Sequence, residues 1–318
     1  MRKIFLRIFI LTMFVVVSCA GIYYYYKHKV PGNPNDFVLA LKDKTVTLEN
    51  TASPRIVFVG GSNLVFGVDS KRVQNSTGLP VVNMAMLGGY GLTFMLNGVK
   101  QGIRKGDILI LSFEYYLGRG EMDLLAHTVD MVPGAYAYLN SYEKRAYPFA
   151  DAKLKLKHFI DALQMTAQFN TGYVEEIYRR DAFNSYGDVI SHLDKPTPKV
   201  LGRRFKIEAN DYTHYIQIMN DFAAYARSKG ASLYYLYPDY PRSEYKKYLP
   251  AITSYDQQMR KLLTIPILNN VDTFIYDDEY FFDTVYHLNK KGREMRTTTL
   301  IDIILSHIGK IEKYEKRS

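Results

Sequence analysis

Short runs of apolar, strand-forming residues alternate with helical stretches along most of the chain, and this alternation constrains the fold more than any other feature. The runs are nearly continuous in apolar residues, which is typical of parallel strands covered on both faces. They occupy residues 56–59, 80–84, 107–113, 231–237 and, more briefly, 271–275, and the last helix is expected at about 290–308. The sequence therefore predicts an α/β fold, with a doubly wound (flavodoxin-like) parallel sheet of about five strands and helices on both faces.

Length and charge limit the possible classes of protein. The 318 residues can hold one large domain or two small ones, and the chain shows no low-complexity stretch or internal repeat. A formal net charge of +9 favours an anionic partner, such as a phospholipid surface or an acidic polymer. Zinc-finger spacing, an RNP-like box and a dense basic helix are all missing from the sequence, so nucleic acid is not expected as a partner.

The N-terminal segment has the composition of a membrane anchor. Residues 8–26 form a run of 19 residues without a charged side chain, and a helix needs about 20 to cross a bilayer. Basic residues flank this run on both sides, and the tyrosines at 23–26 suit a membrane interface. We therefore expect residues 1–29 to form one transmembrane helix in a bacterial cell membrane, with the rest of the chain extracytoplasmic, either periplasmic or extracellular.

Two other interpretations of this segment remain open. The motif Val16-Val17-Ser18-Cys19 looks like a bacterial lipobox, in which Cys19 would be lipidated after cleavage. A removable signal peptide could instead be cut near Ser18 or Ala20. The apolar run continues beyond Cys19, which favours the uncleaved anchor, and all three routes lead out of the cytoplasm. Cys19 is the only cysteine, so an intrachain disulfide cannot form.

The remaining chain divides into a stalk and one domain. Residues 30–52 are predicted to form a polar stalk, and residues 53–318 an α/β domain. About a hundred residues, 115–230, separate the third strand candidate from the fourth and form a long insertion that includes helical stretches. Insertions of this length are usually lids or substrate-binding surfaces. A bracing subdomain that touches no ligand is the alternative.

The ends of the predicted strands carry the candidate catalytic residues, because ligands bind at the carboxyl edge of a doubly wound sheet. Ser62 follows the first strand, Gly88 lies in a glycine turn after the second, and Tyr115 follows the third. Asp283 and His287 lie just before the last helix. A nucleophilic serine needs a base to take its proton, and that base needs an acid to orient it. Ser62, His287 and Asp283 supply these three groups.

Metal and cofactor sites are not predicted. The seven histidines show no metal-ligand spacing, and the chain has no P-loop. The sequence Gly88-Gly89-Tyr90-Gly91 follows a strand but lacks the full dinucleotide-binding fingerprint. It is interpreted as an oxyanion turn or a plain turn.

Three short motifs resemble those of the SGNH (GDSL-like) hydrolase superfamily. They are Gly60-Gly61-Ser62-Asn63, Asn83-Met84-Ala85-Met86-Leu87-Gly88 and His287-Leu288-Asn289-Lys290-Lys291-Gly292. The last of them is close to the superfamily's His-Pro-Asn-x-x-Gly signature. The resemblance covers residues 54–114 and 230–309, and it implies that Ser62 is the nucleophile and that the backbone N–H groups of Ser62 and Gly88 bind the oxyanion.

Two departures from the superfamily pattern affect the site. Its acid usually stands three residues before the histidine, where this chain has Thr284, so Asp283 must reach from one residue further back. Otherwise His287 works as a dyad with Ser62, oriented by a carbonyl. The superfamily's third block contains a Gly-x-Asn-Asp whose asparagine completes the oxyanion hole, whereas this chain has Ser112-Phe113-Glu114-Tyr115. The carboxylate of Glu114 would oppose an oxyanion, and the hydroxyl of Tyr115 could replace the missing amide donor.

A membrane-anchored SGNH-like domain resembles the proteins of bacterial O-acyl transfer, including the D-alanyl transfer protein and the alginate O-acetylation proteins. This resemblance implies a serine-dependent O-acyltransferase or carboxylic-ester hydrolase that acts on an envelope or exported polysaccharide. A multi-spanning membrane acyltransferase is the protein partner that it suggests. The missing third-block asparagine motivates an alternative, a non-catalytic binding or scaffold subunit of the same kind of complex. An unrelated anchored sensor domain is a third hypothesis.

Overall fold

The computed structural model describes residues 2–29, 33–115, 118–165, 175–198, 201–202 and 206–315. The strands are β1 (Ile56–Gly60), β2 (Val81–Asn83), β3 (Ile108–Ser112), β4 (Ser232–Tyr235), β5 (Tyr240–Pro241) and β6 (Ile275–Tyr276). The helices are α1 (Arg2–Lys29), α2 (Ala40–Asn50), α3 (Ser62–Gly67), α4 (Ser70–Thr77), α5 (Leu92–Lys100), α6 (Met122–Met131), α7 (Ser141–Met165), α8 (Thr213–Ser228), α9 (Arg242–Lys247), α10 (Leu249–Leu262) and α11 (Lys290–Glu315).

The main sheet has four parallel strands in the order β2-β1-β3-β4. In the register of the sheet, Ile56 of β1 lies between Val81 of β2 and Ile108 of β3. Parallel strands require crossover connections, and helices supply them here. The prediction of an α/β fold with a parallel sheet is confirmed, and the carboxyl ends of all four strands meet at one edge.

The fifth predicted strand is not part of this sheet in the described residues. The chain near residue 275 forms β6, which pairs with β5 in a separate two-stranded parallel sheet. In the part of the chain that the structure describes, the main sheet continues beyond β4 as a single bridge between Tyr235 and Ile267. Pro266 has no N–H to donate, which is one reason why the ladder does not extend there.

Apolar side chains cover both faces of the sheet. Val57 and Val59 of β1 belong to a buried cluster with residues of α5, α8 and α10. Ile56 and Phe58, which point to the opposite face, belong to a second cluster with residues of α3, α4 and α11. Because successive side chains of a strand alternate between faces, an apolar run such as that of β1 fills both clusters.

The segment predicted to be a polar stalk contains a helix that packs on the domain. Leu41 and Leu48 of α2 are buried in the apolar clusters. Lys44 is only 3% exposed. Its ammonium donates hydrogen bonds to the backbone carbonyls of Asn83, Ala85 and Gly187, at 3.0, 2.5 and 2.7 Å. The mostly polar sequence of α2 concealed this packing, and residues 40–50 are therefore part of the domain.

The N-terminal helix α1 stands apart from the sheet. The segment from Arg2 to Ile22 is long and apolar enough to cross a membrane, and none of its side chains is fully buried in the protein. This agrees with a single-pass anchor or with a signal sequence. Toward its C-terminal half, α1 packs against α7.

The residues inserted between β3 and β4 pack on the domain and return to the carboxyl edge of the sheet. Helix α6 packs against α7. The later part of the insertion lies against α3, where the backbone N–H of Val189 donates to the carbonyl of Val65 at 3.0 Å. Asp188 then accepts hydrogen bonds from the amide and hydroxyl of Ser70. The insertion therefore contributes side chains to the edge where the candidate catalytic residues lie.

Candidate active site

Ser62 lies at the junction of β1 and α3, where two glycines bring strands β1 and β3 close together. A Cβ atom on Gly60 would lie 1.8 Å from the carbonyl oxygen of Ser112. A Cβ atom on Gly61 would lie 2.0 Å from a carboxylate oxygen of Glu114. Position 60 therefore accepts only glycine, because the clash is with backbone, and a side chain at position 61 would have to displace the carboxylate of Glu114. The Gly-Gly-Ser sequence thus holds Ser62, the first residue of α3, directly beside the end of β3.

Asp283 and His287 form a hydrogen-bonded pair across a tight turn. The backbone N–H of Phe282 donates to the carbonyl of His287 at 2.7 Å, which closes the turn. Asp283 Oδ1 then lies 2.7 Å from His287 Nδ1. Thr284 stands at the superfamily's usual acid position, and its hydroxyl accepts a hydrogen bond from the backbone N–H of Tyr286. The four-residue spacing is therefore sufficient for Asp283 to reach the imidazole.

Tyr178, from the insertion, contacts both residues of this pair. Its hydroxyl donates to Asp283 Oδ2 at 2.5 Å and lies 3.3 Å from His287 Nδ1. Burial raises the pKa of Asp283, but the hydrogen bond and charge of His287 and the hydrogen bond from Tyr178 outweigh burial, so the pKa is held below its usual value. An ionised Asp283 favours the tautomer that carries its proton on Nδ1, which leaves Nε2 free to accept a proton.

Aromatic rings fix the orientation of His287. The ring of Phe66, in α3, stacks on the imidazole with a centroid distance of 3.8 Å and an interplanar angle of 8°. The ring of Phe66 also contacts that of His192, with ring centroids 4.9 Å apart. Burial lowers the pKa of His192 to about 4, so this second imidazole is neutral near pH 7 and does not add a positive charge behind the site.

Three of the predicted site residues meet at one cavity. The cavity has a volume of about 360 Å³. Ser62, Gly88 and His287 all line it. Ser62 and His287 are only 5% and 4% exposed, so they face a sheltered space rather than open solvent. The other lining residues are Phe37, Val38, Leu87, Gly89, Glu121, Leu124, Tyr178 and Thr284.

The hydroxyl of Ser62 donates to Glu114 in this structure. The distance from Ser62 Oγ to Glu114 Oε1 is 3.3 Å, and the backbone N–H of Asn63 donates to the same oxygen at 3.2 Å. Within the described part of the chain, Ser62 and His287 are not hydrogen-bonded to each other. Burial raises the pKa of Glu114, an effect that exceeds the opposing effect of its hydrogen bonds. A raised pKa weakens the negative charge that Glu114 would place near an oxyanion.

Tyr115 does not reach the cavity, which corrects the prediction that its hydroxyl completes the oxyanion hole. Its side chain is fully buried in an apolar cluster, where its ring packs edge-on against Tyr240 and Tyr255. Its hydroxyl donates to the carbonyl of Val271 at 3.2 Å. After β3 the side chains continue to alternate, so Tyr115 points into the same cluster as Phe113, and Glu114 points toward Ser62.

The side chain of Asn63, the residue after Ser62, holds the local backbone in place. Asn63 Nδ2 donates to the carbonyl of Ser112 at 3.2 Å, and its Oδ1 accepts hydrogen bonds from Ser112 Oγ and Arg296 Nη2. Arg296 in turn pairs with Asp239, and both side chains are fully buried. These contacts tie the start of α3 to β3 and α11, so the amide of Asn63 positions the site rather than facing the cavity.

Five lining residues could not be found by motif, and two of them, Phe37 and Val38, come from the segment predicted to be a stalk. Tyr178, Glu121 and Leu124 all come from the insertion, far from Ser62 and His287 in sequence. The only signal that pointed to them was the length of the insertion, which is typical of segments that cover a binding site.

Neither a protein-family model nor a curated protein sequence matches this chain. In the described residues, three or more histidine, cysteine, aspartate or glutamate side chains are nowhere grouped so that they could hold a metal ion.

Proposed function

We propose that this chain is an extracytoplasmic, SGNH-type serine O-acyltransferase or ester hydrolase that acts on O-acyl groups of an envelope or exported polysaccharide. The observation that supports this most is the cavity that Ser62, Gly88 and His287 share, with Asp283 hydrogen-bonded to His287. The strand order β2-β1-β3-β4 matches the first four positions of a flavodoxin-like sheet, the arrangement expected for this superfamily.

In the proposed reaction, Ser62 Oγ attacks the carbonyl carbon of an ester while His287 Nε2 takes the hydroxyl proton. The bond between the carbonyl carbon and the alcohol oxygen then breaks, and His287 returns the proton to the leaving alcohol. Water or a second sugar hydroxyl attacks the acyl-Ser62 intermediate by the same proton route. Water gives hydrolysis, and a sugar hydroxyl gives acyl transfer.

Two backbone N–H groups are the proposed oxyanion donors. Ser62 is the first residue of α3, and Gly88 is the first residue of a short 3₁₀ turn. The first N–H groups of a helix have no acceptor within that helix, so both are free to bind an oxyanion. The N–H of Asn63 is already bound to Glu114. The site therefore works with two donors, without the side-chain amide of the superfamily pattern.

The step from the resting structure to the reactive one is a rotation of the Ser62 side chain. Its hydroxyl must turn from Glu114 toward His287, and a serine side chain has three staggered rotamers available for this. Catalytic hydrogen bonds are often long or misaligned before substrate binds. Substrate in the cavity would favour the reactive rotamer by placing its carbonyl carbon beside Ser62.

The walls of the cavity suit an acyl group more than a sugar. Phe37, Val38, Leu87 and Leu124 are apolar, whereas Glu121 is a charged lining residue. A volume of about 360 Å³ lies at the low end of the range for small-molecule pockets. We infer that the acyl group enters the cavity, and that the polysaccharide remains outside with its reacting oxygen at the mouth.

A double-mutant cycle tests this function. We expect Ser62→Ala and His287→Ala each to reduce hydrolysis of an activated acetyl ester by about 10³-fold or more. The double variant should be no slower than either single variant, because members of one catalytic unit are not additive. Ser141→Ala and His214→Ala, at exposed positions, are the matched controls and should retain activity. Full activity in Ser62→Ala would refute the proposal.

One observation favours a non-catalytic alternative. Glu114 holds the hydroxyl of Ser62, and the place of the third-block asparagine is taken by this carboxylate. A binding or scaffold subunit of an O-acylation complex would need the fold but no turnover. A folded wild-type protein that neither hydrolyses acetyl esters nor transfers acyl groups would support this alternative over the enzyme.

A further inference from the structure

Helix α7 exposes a row of apolar and aromatic side chains. Tyr142, Phe149, Leu156 and Ile160 are 46%, 81%, 59% and 44% exposed. They follow one another at steps of seven, seven and four residues, which places them on one face of the helix. We call these four residues the α7 stripe. A row of apolar side chains on the surface of a folded domain marks an interaction site.

Basic side chains lie near the α7 stripe. Arg145, Lys153 and Lys157 lie on the same helix and are exposed. The guanidinium of Arg119 lies 4.3 Å from the centre of the Tyr142 ring. Lys153 pairs with Asp123, but both side chains are 70% exposed, so this ion pair is weak. Apolar side chains bordered by lysine and arginine are typical of helices that lie in the surface of an anionic membrane.

The position of α1 indicates what covers the stripe. Helix α7 packs against α1, the segment long and apolar enough to cross a membrane. Residues of α1 before Ser18 are exposed, whereas Ser18, Cys19 and Ile22 are partly buried. The domain therefore lies next to the C-terminal half of this segment. If α1 crosses the bilayer, α7 lies where that segment emerges from it.

We propose that the α7 stripe rests in the outer surface of the phospholipid bilayer that α1 crosses. This inference rests on the proposed function, with α1 retained as a membrane anchor. Phe149, Leu156 and Ile160 would enter the boundary between headgroups and acyl chains, and Lys153 and Lys157 would contact lipid phosphates. Tyr142 is suited to the same interface, where an apolar ring carries a polar hydroxyl.

This orientation holds the candidate active site near the membrane. Helix α6 packs against α7, and Leu124 of α6 lines the cavity together with Glu121, the residue before α6. The α7 stripe would thus fix the cavity at a short distance from the bilayer. An acyl group delivered by a membrane protein or a lipid could then reach Ser62 without crossing solvent.

Tryptophan fluorescence tests the proposal, because the chain contains no tryptophan. Full-length Phe149→Trp and Leu156→Trp proteins would each carry one fluorophore in the α7 stripe. The matched control is Leu249→Trp, at a leucine of α10 that is 43% exposed. Each protein is reconstituted into vesicles of phosphatidylcholine and phosphatidylglycerol, with and without brominated acyl chains.

We expect a blue-shifted emission that brominated lipid quenches for both stripe variants, and a red-shifted, unquenched emission for Leu249→Trp. Emission of the stripe variants that matches the control would overturn the proposal. Carbonate washing of the same vesicles shows separately whether α1 anchors the protein in the membrane, and an ester hydrolysis assay measures enzymatic activity. If the protein stays in the bilayer after the wash but brominated lipid does not quench the tryptophan emission of the stripe variants, only the contact between α7 and lipid is refuted. If the protein does not hydrolyse esters, only the enzymatic function is refuted.

Discussion

At the scale of single residues, the carboxylate of Asp283 has the most informative surroundings. It is bound by His287 on one oxygen and by the hydroxyl of Tyr178 on the other. The pKa of Asp283 lies below its reference value of 3.8, because these partners outweigh the effect of burial. The ionised group therefore stabilises the fold above about pH 4, and this contribution is lost as the pH falls through the lowered pKa. Near neutral pH it is fully charged and can orient the imidazole.

The change Asp283→Asn should reduce ester turnover by about 10³–10⁴-fold, because an amide stabilises the wrong tautomer of His287. The melting temperature should fall by only a few degrees, since the side chain of Asp283 is partly exposed to solvent. Asp194→Asn, at an aspartate that is 88% exposed, is the control and should change neither quantity. Turnover and melting temperature are measured on the same preparations. Near-normal turnover in a folded Asp283→Asn protein would leave a dyad of Ser62 and His287.

Sequence motifs located some of these residues and missed others for physical reasons. Ser62 and Gly88 follow strands, so strand prediction alone placed them at the carboxyl edge of the sheet. The prediction for Tyr115 was wrong because side chains continue to alternate after β3, which directs Tyr115 into the core. This direction depends on where the strand ends, which the sequence does not define. Tyr178 has no motif, because its place beside Asp283 follows from the tertiary path of the insertion.

At the scale of secondary-structure elements, α2 shows how a polar helix can be part of a core. The ammonium of Lys44 donates to three backbone carbonyls, of which one belongs to Asn83, the last residue of β2, and one to Ala85, on the segment that leads to Gly88. The third carbonyl belongs to Gly187 of the insertion. Lys44 thus joins α2, the end of β2 and the insertion, and it braces the chain that carries the proposed oxyanion turn.

The change Lys44→Met should lower the free energy of unfolding by about 2–4 kcal/mol, because it leaves buried carbonyls without a donor. Lys42→Met is the matched control, on the same helix but at an exposed position, and it should change stability by less than about 0.5 kcal/mol. Urea denaturation followed by circular dichroism measures both. Equal free energies of unfolding for the two variants would show that the hydrogen bonds of Lys44 do not stabilise the contact between α2, β2 and the insertion.

Elements with a strong apolar pattern were predictable, and those that depend on tertiary contacts were not. The runs at 56–59 and 107–113 correspond to β1 and β3 because continuous apolar strands fit a sheet covered on both faces. The polar sequence of α2 gave no such signal, although buried Lys44 holds it in place. The run at 271–275 predicted a strand, and β6 pairs with β5 rather than with β4.

At the scale of the whole molecule, helix α1 and the edge of the sheet that carries Ser62 are connected through helices of the insertion. Helix α1 packs against α7, α7 packs against α6, and the start of α6 borders the cavity with Ser62. The net charge of +9 would favour a position close to anionic lipid. We infer a domain held against the outer face of a membrane, with its site directed to substrates made or delivered there.

The way in which the chain is held at the membrane depends on whether α1 is retained or cleaved. We expect the full chain to stay with membranes after a carbonate wash, and a reporter fused after Lys29 to be extracytoplasmic. Cys19→Ser should not change either result, because an apolar helix needs no lipid to remain inserted. Release of the Cys19→Ser protein, or a block in its maturation, would support the lipoprotein alternative in place of the anchor.

The most direct test of the central claim is the labelling of Ser62 by a fluorophosphonate probe. Ser62 lines a sheltered cavity together with His287, so the wild-type protein should form a phosphonyl-serine adduct that intact-mass measurement detects. Peptide mapping should place the adduct on Ser62, and labelling should disappear in Ser62→Ala and fall strongly in His287→Ala. A folded wild-type protein that stays unlabelled, or a Ser62→Ala protein that labels at the wild-type rate, would contradict the account.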